Sequence, residues 1–197
     1  MGRSIPSFRQ LLEIEKLKWL SFKKSLSTKK DKKEFDKVFD NVKLYTSYLG
    51  NASNPIPLES IFMGAIFHNY KQILQITKEY IKIEESNLKD ELLSLVENKS
   101  EGKLLFYRFS KKWHGFIYAL HKEDRLILLK MVLEICSYNE HINNVINIRD
   151  SQSNIDFLFF LLTIILQQKR IEKINSSEKK DVSLLDFVYK YTFENPV

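Results

Sequence analysis

Apolar residues recur three or four positions apart along most of this chain, the spacing that lines one face of a helix. Phe8, Leu11, Leu12, Trp19, Phe22 and Leu26 form the first stripe, and Ser7 with Gln10 supplies a capping-box start. A first helix is therefore predicted over residues 7–26. Thr28 and Asp31 cap the next, whose stripe of Phe35, Val38, Phe39, Val42, Tyr45 and Leu49 ends at Gly50, the residue type that closes many helices. After the loop Asn51–Ile56, Pro57 suits a first helical position, and the pattern from Leu58 through Ile76 to Ile83 predicts a long third helix. A short helix is expected over 88–96, and further helices over 101–120, 122–147 and 154–175, the last capped by Ser153 and Asp156. A final helix over 183–193 carries Leu184, Leu185, Val188 and Tyr189 on one side.

These stripes come in two copies. Trp-x-x-Phe-x-x-x-Leu occurs at Trp19, Phe22, Leu26 and again at Trp113, Phe116, Leu120. Asp31 then pairs with Asp124, Phe35 with Leu128, Val42 with Ile135 and Tyr45 with Tyr138. After a longer loop in the second copy, Phe62 pairs with Phe160, Lys71 with Lys169 and Ile76 with Ile174. The expectation is an all-α helical bundle of two tandem three-helix repeats, 1–86 and 101–176, joined by a linker helix within 87–100. The segment 177–197 supplies a C-terminal helix packing back on the bundle. The nearly all-apolar stretch Phe157–Leu166 must be covered on every side, so the copies are expected to share one core. Both tryptophans are expected in that core at helix crossings.

Composition supports helices. Only 5 Gly and 4 Pro are present, too few for the many turns of a sandwich or barrel. Cys136 is the only cysteine, which rules out an intramolecular disulfide and a cysteine-built zinc site and favours a cytoplasmic, reducing location. The N-terminal segment lacks a signal-peptide apolar run, and Phe157–Leu166 is about half of the roughly 20 residues a membrane helix needs. Neither export, lipid anchoring nor membrane insertion is expected.

Charge adds one asymmetry. The formal net charge is +6, yet residues 1–50 hold 12 Lys and Arg against 6 Asp and Glu, and the other 147 residues balance 19 against 19. The candidate binding residues are accordingly Arg3 and Arg9 in the N-terminal arm and Lys23, Lys24, Lys29, Lys30, Lys32 and Lys33. Such a local basic surface attracts nucleic acid or another polyanion. The competing explanation is a solvated helix face in a chain rich in Lys, Ile, Asn, Tyr and Phe.

The opening residues MGRSIPSFR, then WLSFKKSL, KKDKKEFDKVF and PIPLESIFMGAIFHNYKQI, resemble a family of small helical archaeal proteins with no assigned function. The likeness spans residues 1–76, with Lys23 standing where Arg is commoner. It implies an archaeal cytoplasmic origin and a helical fold, and it carries no reaction and no catalytic residues.

Motifs for chemistry are sparse. There is no Gly-x-x-x-x-Gly-Lys loop, no Gly-x-Gly-x-x-Gly and no Gly-x-Ser-x-Gly, which excludes the classical nucleotide enzymes. His68, His114, His121 and His141 lack the Glu-x-x-His spacing of di-iron bundles. Cys136 lies on an apolar stripe, where a small buried hydrophobe is the expected role. Gln152, Ile155, Leu158 and Phe159 approximate a sliding-clamp peptide, with Leu158 in place of an aromatic, but they fall on a predicted core helix. No cofactor is expected. The function anticipated is non-catalytic binding or assembly, with nucleic acid or a nucleic-acid-bound complex as partner. The alternatives are a protein adaptor recognising an acidic or other protein surface, and a metal-dependent enzyme using His114, His121, His141 and nearby carboxylates.

Overall fold

The computed structural model describes residues 6–52, 56–79, 83–97 and 101–136, together with Thr163, Ile164, Gln167, Arg170, Ile171 and Ile174. Among these residues the fold is all-α and contains no strand. The expected cap at Ser153, the segment Gln152–Phe159 and the helix over 183–193 lie outside the described residues.

Nine helices run through the described residues: α1 (Phe8–Lys18), α2 (Leu20–Ser25), α3 (Lys29–Lys43), α4 (Thr46–Leu49), α5 (Pro57–Thr77), α6 (Glu85–Glu97), α7 (Glu101–Lys112), α8 (His114–Ala119) and α9 (Lys122–Cys136). Both anticipated capping boxes are formed. The Gln10 amide donates to Ser7 Oγ and the Ser7 amide to Gln10 Oε1. The Asp31 amide donates to Thr28 Oγ1 at 3.0 Å, and the Thr28 amide to Asp31 Oδ2 at 3.3 Å. Pro57 opens α5 as expected.

The predicted long helices are broken where periodicity gives no sign of it. The helix expected over 7–26 breaks at Trp19, whose amide reaches back three residues to the Lys16 carbonyl in a tightened turn. The helix expected over 101–120 breaks at Trp113 with the same backbone geometry, φ −99° and ψ 14° against −93° and 10° at Trp19. The second stripe breaks at Leu44 and Tyr45, whose amides donate to carbonyls three residues back. Gly50 does not close its helix in a left-handed turn. At φ −60° and ψ −27° it continues into a 3-10 turn, Gly50–Ala52. The left-handed cap falls instead on Lys78, φ 58°, at the end of α5. At Trp19, Trp113 and Tyr45 the apolar stripe carries across the break, so the spacing stays helical although the helix is interrupted.

The two segments match in outline. α2 and α8 each have 6 residues and α3 and α9 each have 15. Their packing differs. α5 is the hub: it lies against α1, α3 and α9, and Ile61, Met63, Ile66, Phe67, Tyr70, Ile73 and Leu74 are all buried on it. Gly64 lets α3 and α4 press close, since a methyl there would sit 2.9 Å from Leu49 Cδ1 and 3.2 Å from Val42 Cγ1. One buried cluster draws on both halves, from Leu12, Phe39 and Val42 to Trp113, Phe116 and Met131. Phe67 and Phe116 meet edge to face across it, 6.0 Å apart. Polar ties cross the same boundary: Lys112 to Glu59 at 2.7 Å, Lys71 to Asp124, and buried Gln167 Nε2 donating to the Ile66 carbonyl at 2.8 Å.

α8 docks on α4 and on the 3-10 turn. A Cβ at Gly115 would collide with the backbone carbonyl of Asn51, so only glycine permits this approach. That docking seals Trp113 to 2% exposure and Phe116 to 0%. The expectation that both tryptophans are core residues therefore fails for Trp19, which is 41% exposed. α2 packs on α1 and α3 but on nothing equivalent to the turn that covers α8, among the described residues, and it buries no residue fully.

Two outcomes follow for urea denaturation monitored by circular dichroism. Trp113→Ala should cost about 3–5 kcal/mol, as for a large buried aromatic, and Trp19→Ala about 1 kcal/mol. Gly115→Ala should destabilise by about 1–3 kcal/mol or more through overpacking. Gly50→Ala, at a φ open to any residue and with only an ordinary contact to Phe8, should be neutral or stabilising by about 0.4–1 kcal/mol.

Candidate nucleic-acid interface

The corner where α2 passes into α3 concentrates the chain's excess charge. Between Leu20 and Lys33 there are six lysines and one carboxylate, Asp31, and that carboxylate is occupied in its capping box. Lysines in the first turns of a helix oppose its macrodipole, so the positive potential of Lys29, Lys30, Lys32 and Lys33 adds to that of the helix end. The corresponding segment of the second half, His114 to Leu126, carries Lys122 and Arg125 against Glu123 and Asp124 and is balanced.

Most other lysines nearby are neutralised by carboxylates. Lys23 donates to both oxygens of Asp36, at 2.8 and 2.6 Å, and Lys16 stands 3.3 Å from the same carboxylate. The Lys23 ammonium, with Lys16 beside it, holds the Asp36 carboxyl below its usual range. Lys37 pairs with Glu34, and Lys43 with Glu13 and Asp40. Lys24, Lys29, Lys30 and Lys33 are exposed and Lys32 is half-buried, and among the described residues none of the five has a carboxylate partner. Arg9 is exposed at the other end of α1, about 15 Å along the helix from Trp19 at 1.5 Å per residue. Arg3 lies outside the described residues. Of the eight predicted binding residues, five thus gather uncompensated at one corner, Lys23 is committed to Asp36, and Arg9 stands apart.

Sequence reasoning missed the aromatic part of this corner. Trp19 and Phe22 are 41% and 49% exposed, with Leu20 beside them at 38%. Their rings pack edge to face at 6.1 Å and 89°, Phe22 rests on Phe35 at 6.1 Å, and Phe35 on buried Phe39 at 5.1 Å. The rings form a ladder anchored in the core and ending at the surface. The available signal was local composition: Trp19 at the start of α2 and Phe22 on it, with six lysines in the eleven residues from Lys23 to Lys33, make a poor core face.

The rival chemical sites resolve into structural contacts. Exposed His114 stacks on Tyr118 at 4.4 Å and exposed His121 meets Tyr48 at 5.8 Å, so they serve different surfaces; His141 lies outside the described residues. Among the described residues no three His, Cys, Asp or Glu side chains stand together as metal ligands. Asp124 accepts from Lys71, whose ammonium also lies over the Tyr45 and Phe67 rings. The Tyr45 hydroxyl meets His68 Nδ1 at 3.2 Å. Burial, with Asp124 nearby, pushes the Tyr45 phenol up to about 12. Burial and then Lys71 lower the His68 pKa, which keeps that imidazole neutral near pH 7. Across α5, Arg170 joins Glu134 at 2.8 Å and Glu79 at 3.2 Å and lies over Tyr70. Each cluster bridges elements.

Fold and surface together define an all-α bundle with a basic corner studded with aromatic rings. Residues 1–103 match the family model described as "Domain of unknown function (DUF8156)", and the chain belongs to that family. The match ends within α7, so it takes in the basic corner and all of α5 but not α8 or α9. No curated protein and no solved structure matches the chain. Among the described residues no helix is long and apolar enough to cross a membrane.

Cys136 is fully buried, and burial pushes its thiol up to about 12. The thiolate is the reactive form, so a colorimetric disulfide reagent at pH 8 should leave Cys136 unlabelled in the native protein and label one thiol per chain in denaturant. Stoichiometric labelling of the native protein within minutes would contradict this burial.

Proposed function

We propose that the protein binds nucleic acid, free or as part of a larger nucleic-acid complex, through the basic corner of α2 and α3, and that it does so without catalysis. The observation that carries this reading is the selective lack of carboxylates. Close to this corner Lys16, Lys23, Lys37 and Lys43 are paired with carboxylates, whereas Lys24, Lys29, Lys30, Lys32 and Lys33 are left together without carboxylate partners among the described residues. Placing several cations at a helix N-terminus costs stability through the macrodipole, a cost that phosphates would reverse. Lysine ammoniums act as point charges and fit the backbone of a polyanion without reading sequence.

The matched outlines of α1–α3 and α7–α9 support reading the chain as a tandem duplication. In that reading only the first copy carries the charge, and the second covers its own α8 against the 3-10 turn. A cytoplasmic protein fits this function, with its single buried thiol and no disulfide among the described residues.

Electrophoretic or polarisation titration at several salt concentrations tests the proposal. With about four phosphate contacts on duplex DNA, log K should fall with a slope near 3.6 against log salt, a loss of about a hundredfold between 50 and 200 mM. Converting Lys24, Lys29, Lys30 and Lys33 to Gln should remove most of that slope, and the loss should be similar across unrelated sequences. If the wild-type protein shows no salt-sensitive binding to any nucleic acid and instead retains a protein partner after nuclease treatment, the adaptor reading replaces this one.

A further inference from the structure

We propose that the nucleic acid held at this corner is single-stranded, with bases stacking on Trp19 and Phe22 while Lys24, Lys29, Lys30 and Lys33 hold the adjoining phosphates. This rests on the reading above and adds to it the strandedness of the ligand and two residues that charge alone does not select.

The rings and the cations meet at the corner where α2 passes into α3. Phe22 and Lys24 share the six-residue α2, and Phe22 packs on Phe35, which follows Lys29, Lys30 and Lys33 within two turns of α3. Trp19 and Phe22 meet edge to face at 6.1 Å, too closely for a base to enter between them, and each keeps over two-fifths of its surface exposed. Their counterparts Trp113 and Phe116 are 2% and 0% exposed. The same motif thus builds core in one half and leaves two large rings at the surface in the other, where the lysines are.

Charge complementarity selects the occupant. An apolar partner helix laid over Trp19 and Phe22 would carry the uncompensated lysines into a low-dielectric contact, which is costly. A polynucleotide satisfies both parts, because phosphates meet the ammoniums and base faces meet the rings. In a duplex the base faces are stacked away, so the rings would gain little. In an unpaired strand every base has an exposed π-face, and aromatic platforms flanked by lysines are how such strands are held without sequence preference.

Polarisation titrations of the full chain at fixed salt test this with three labelled probes of equal length: oligo(dT), an abasic strand with the same backbone, and a duplex. Oligo(dT) should bind more tightly than the abasic strand. Trp19→Ala and Phe22→Ala should each weaken oligo(dT) by about five- to a hundredfold while leaving abasic and duplex binding unchanged. Trp19→Phe, which keeps a stacking face and a conservative fold, should restore most of the affinity. In the wild type, oligo(dT) should quench tryptophan fluorescence, and in Trp19→Phe that quenching should vanish while binding persists. Equal affinity for oligo(dT) and the abasic strand would overturn the stacking proposal and leave phosphate binding standing. Failure to bind any of the three probes would overturn both. A wild-type dimer that becomes monomeric on Trp19→Ala would mean that the rings meet a second copy of the chain, and would also overturn it.

Discussion

The close approach of Gly115 to the Asn51 carbonyl sets the plan of this molecule. It brings α8 down on the turn that ends α4, and in doing so it closes the core over Trp113 and Phe116. A side chain at position 115 would hold the two backbones apart, and the aromatic contacts of Phe116 with Phe67 and Trp113 depend on that distance. Interiors pack densely enough that such a gap cannot be filled by relaxation elsewhere. Gly64 plays a similar part on α5 itself, where Val42 and Leu49 come in against its bare Cα. Two glycines therefore fix the positions of α3, α4 and α8 around the central helix.

The same docking creates the difference between the two halves. α8 has a cover and α2 does not, among the described residues, so identical motif residues experience opposite surroundings. Exposed rings normally invite non-specific association. At this corner lysines stand near them, and their like charge opposes pairing with a second identical surface. The capping box at Thr28 and Asp31 is what makes the arrangement stable enough to persist: it satisfies the end of α3 locally, although the first turns carry four like charges.

Much of the fold was legible, and the reasons for the misses are specific. Helix content and the helix starts at Ser7, Thr28 and Pro57 follow from local chemistry: two capping boxes between residues three positions apart, and a proline whose fixed φ suits a first helical position. The breaks at Trp19, Trp113 and Tyr45 were invisible because the apolar stripe continues across each of them. Gly50 misled because a helix-ending glycine need not use the left-handed region it alone tolerates; here the chain tightened into a 3-10 turn. Charge clustering at the candidate site was legible, since Lys and carboxylate positions can be counted. Which lysines are neutralised was not: Lys23 and Asp36 are thirteen residues apart and meet only because α2 folds back on α3. Nor could the stripe reveal that Trp19 is exposed, because burial depends on what α2 lacks above it.

The polar residues inside the bundle bear on the choice between binding and chemistry. Tyr45, His68, Lys71 and Asp124 have the ingredients of a proton relay, and burial shifts two of them. Perturbed groups mark active sites only when they converge on a space a substrate can enter. Here the ammonium of Lys71 is taken by Asp124 and two ring faces, and the Tyr45 hydroxyl is taken by His68. These are the contacts expected of groups that tie α5 to its neighbours, where a buried polar atom without a partner would be costly. Lys24, Lys29, Lys30 and Lys33 show the reverse arrangement, exposed and without a carboxylate partner among the described residues, so their charge is not spent on tying elements together.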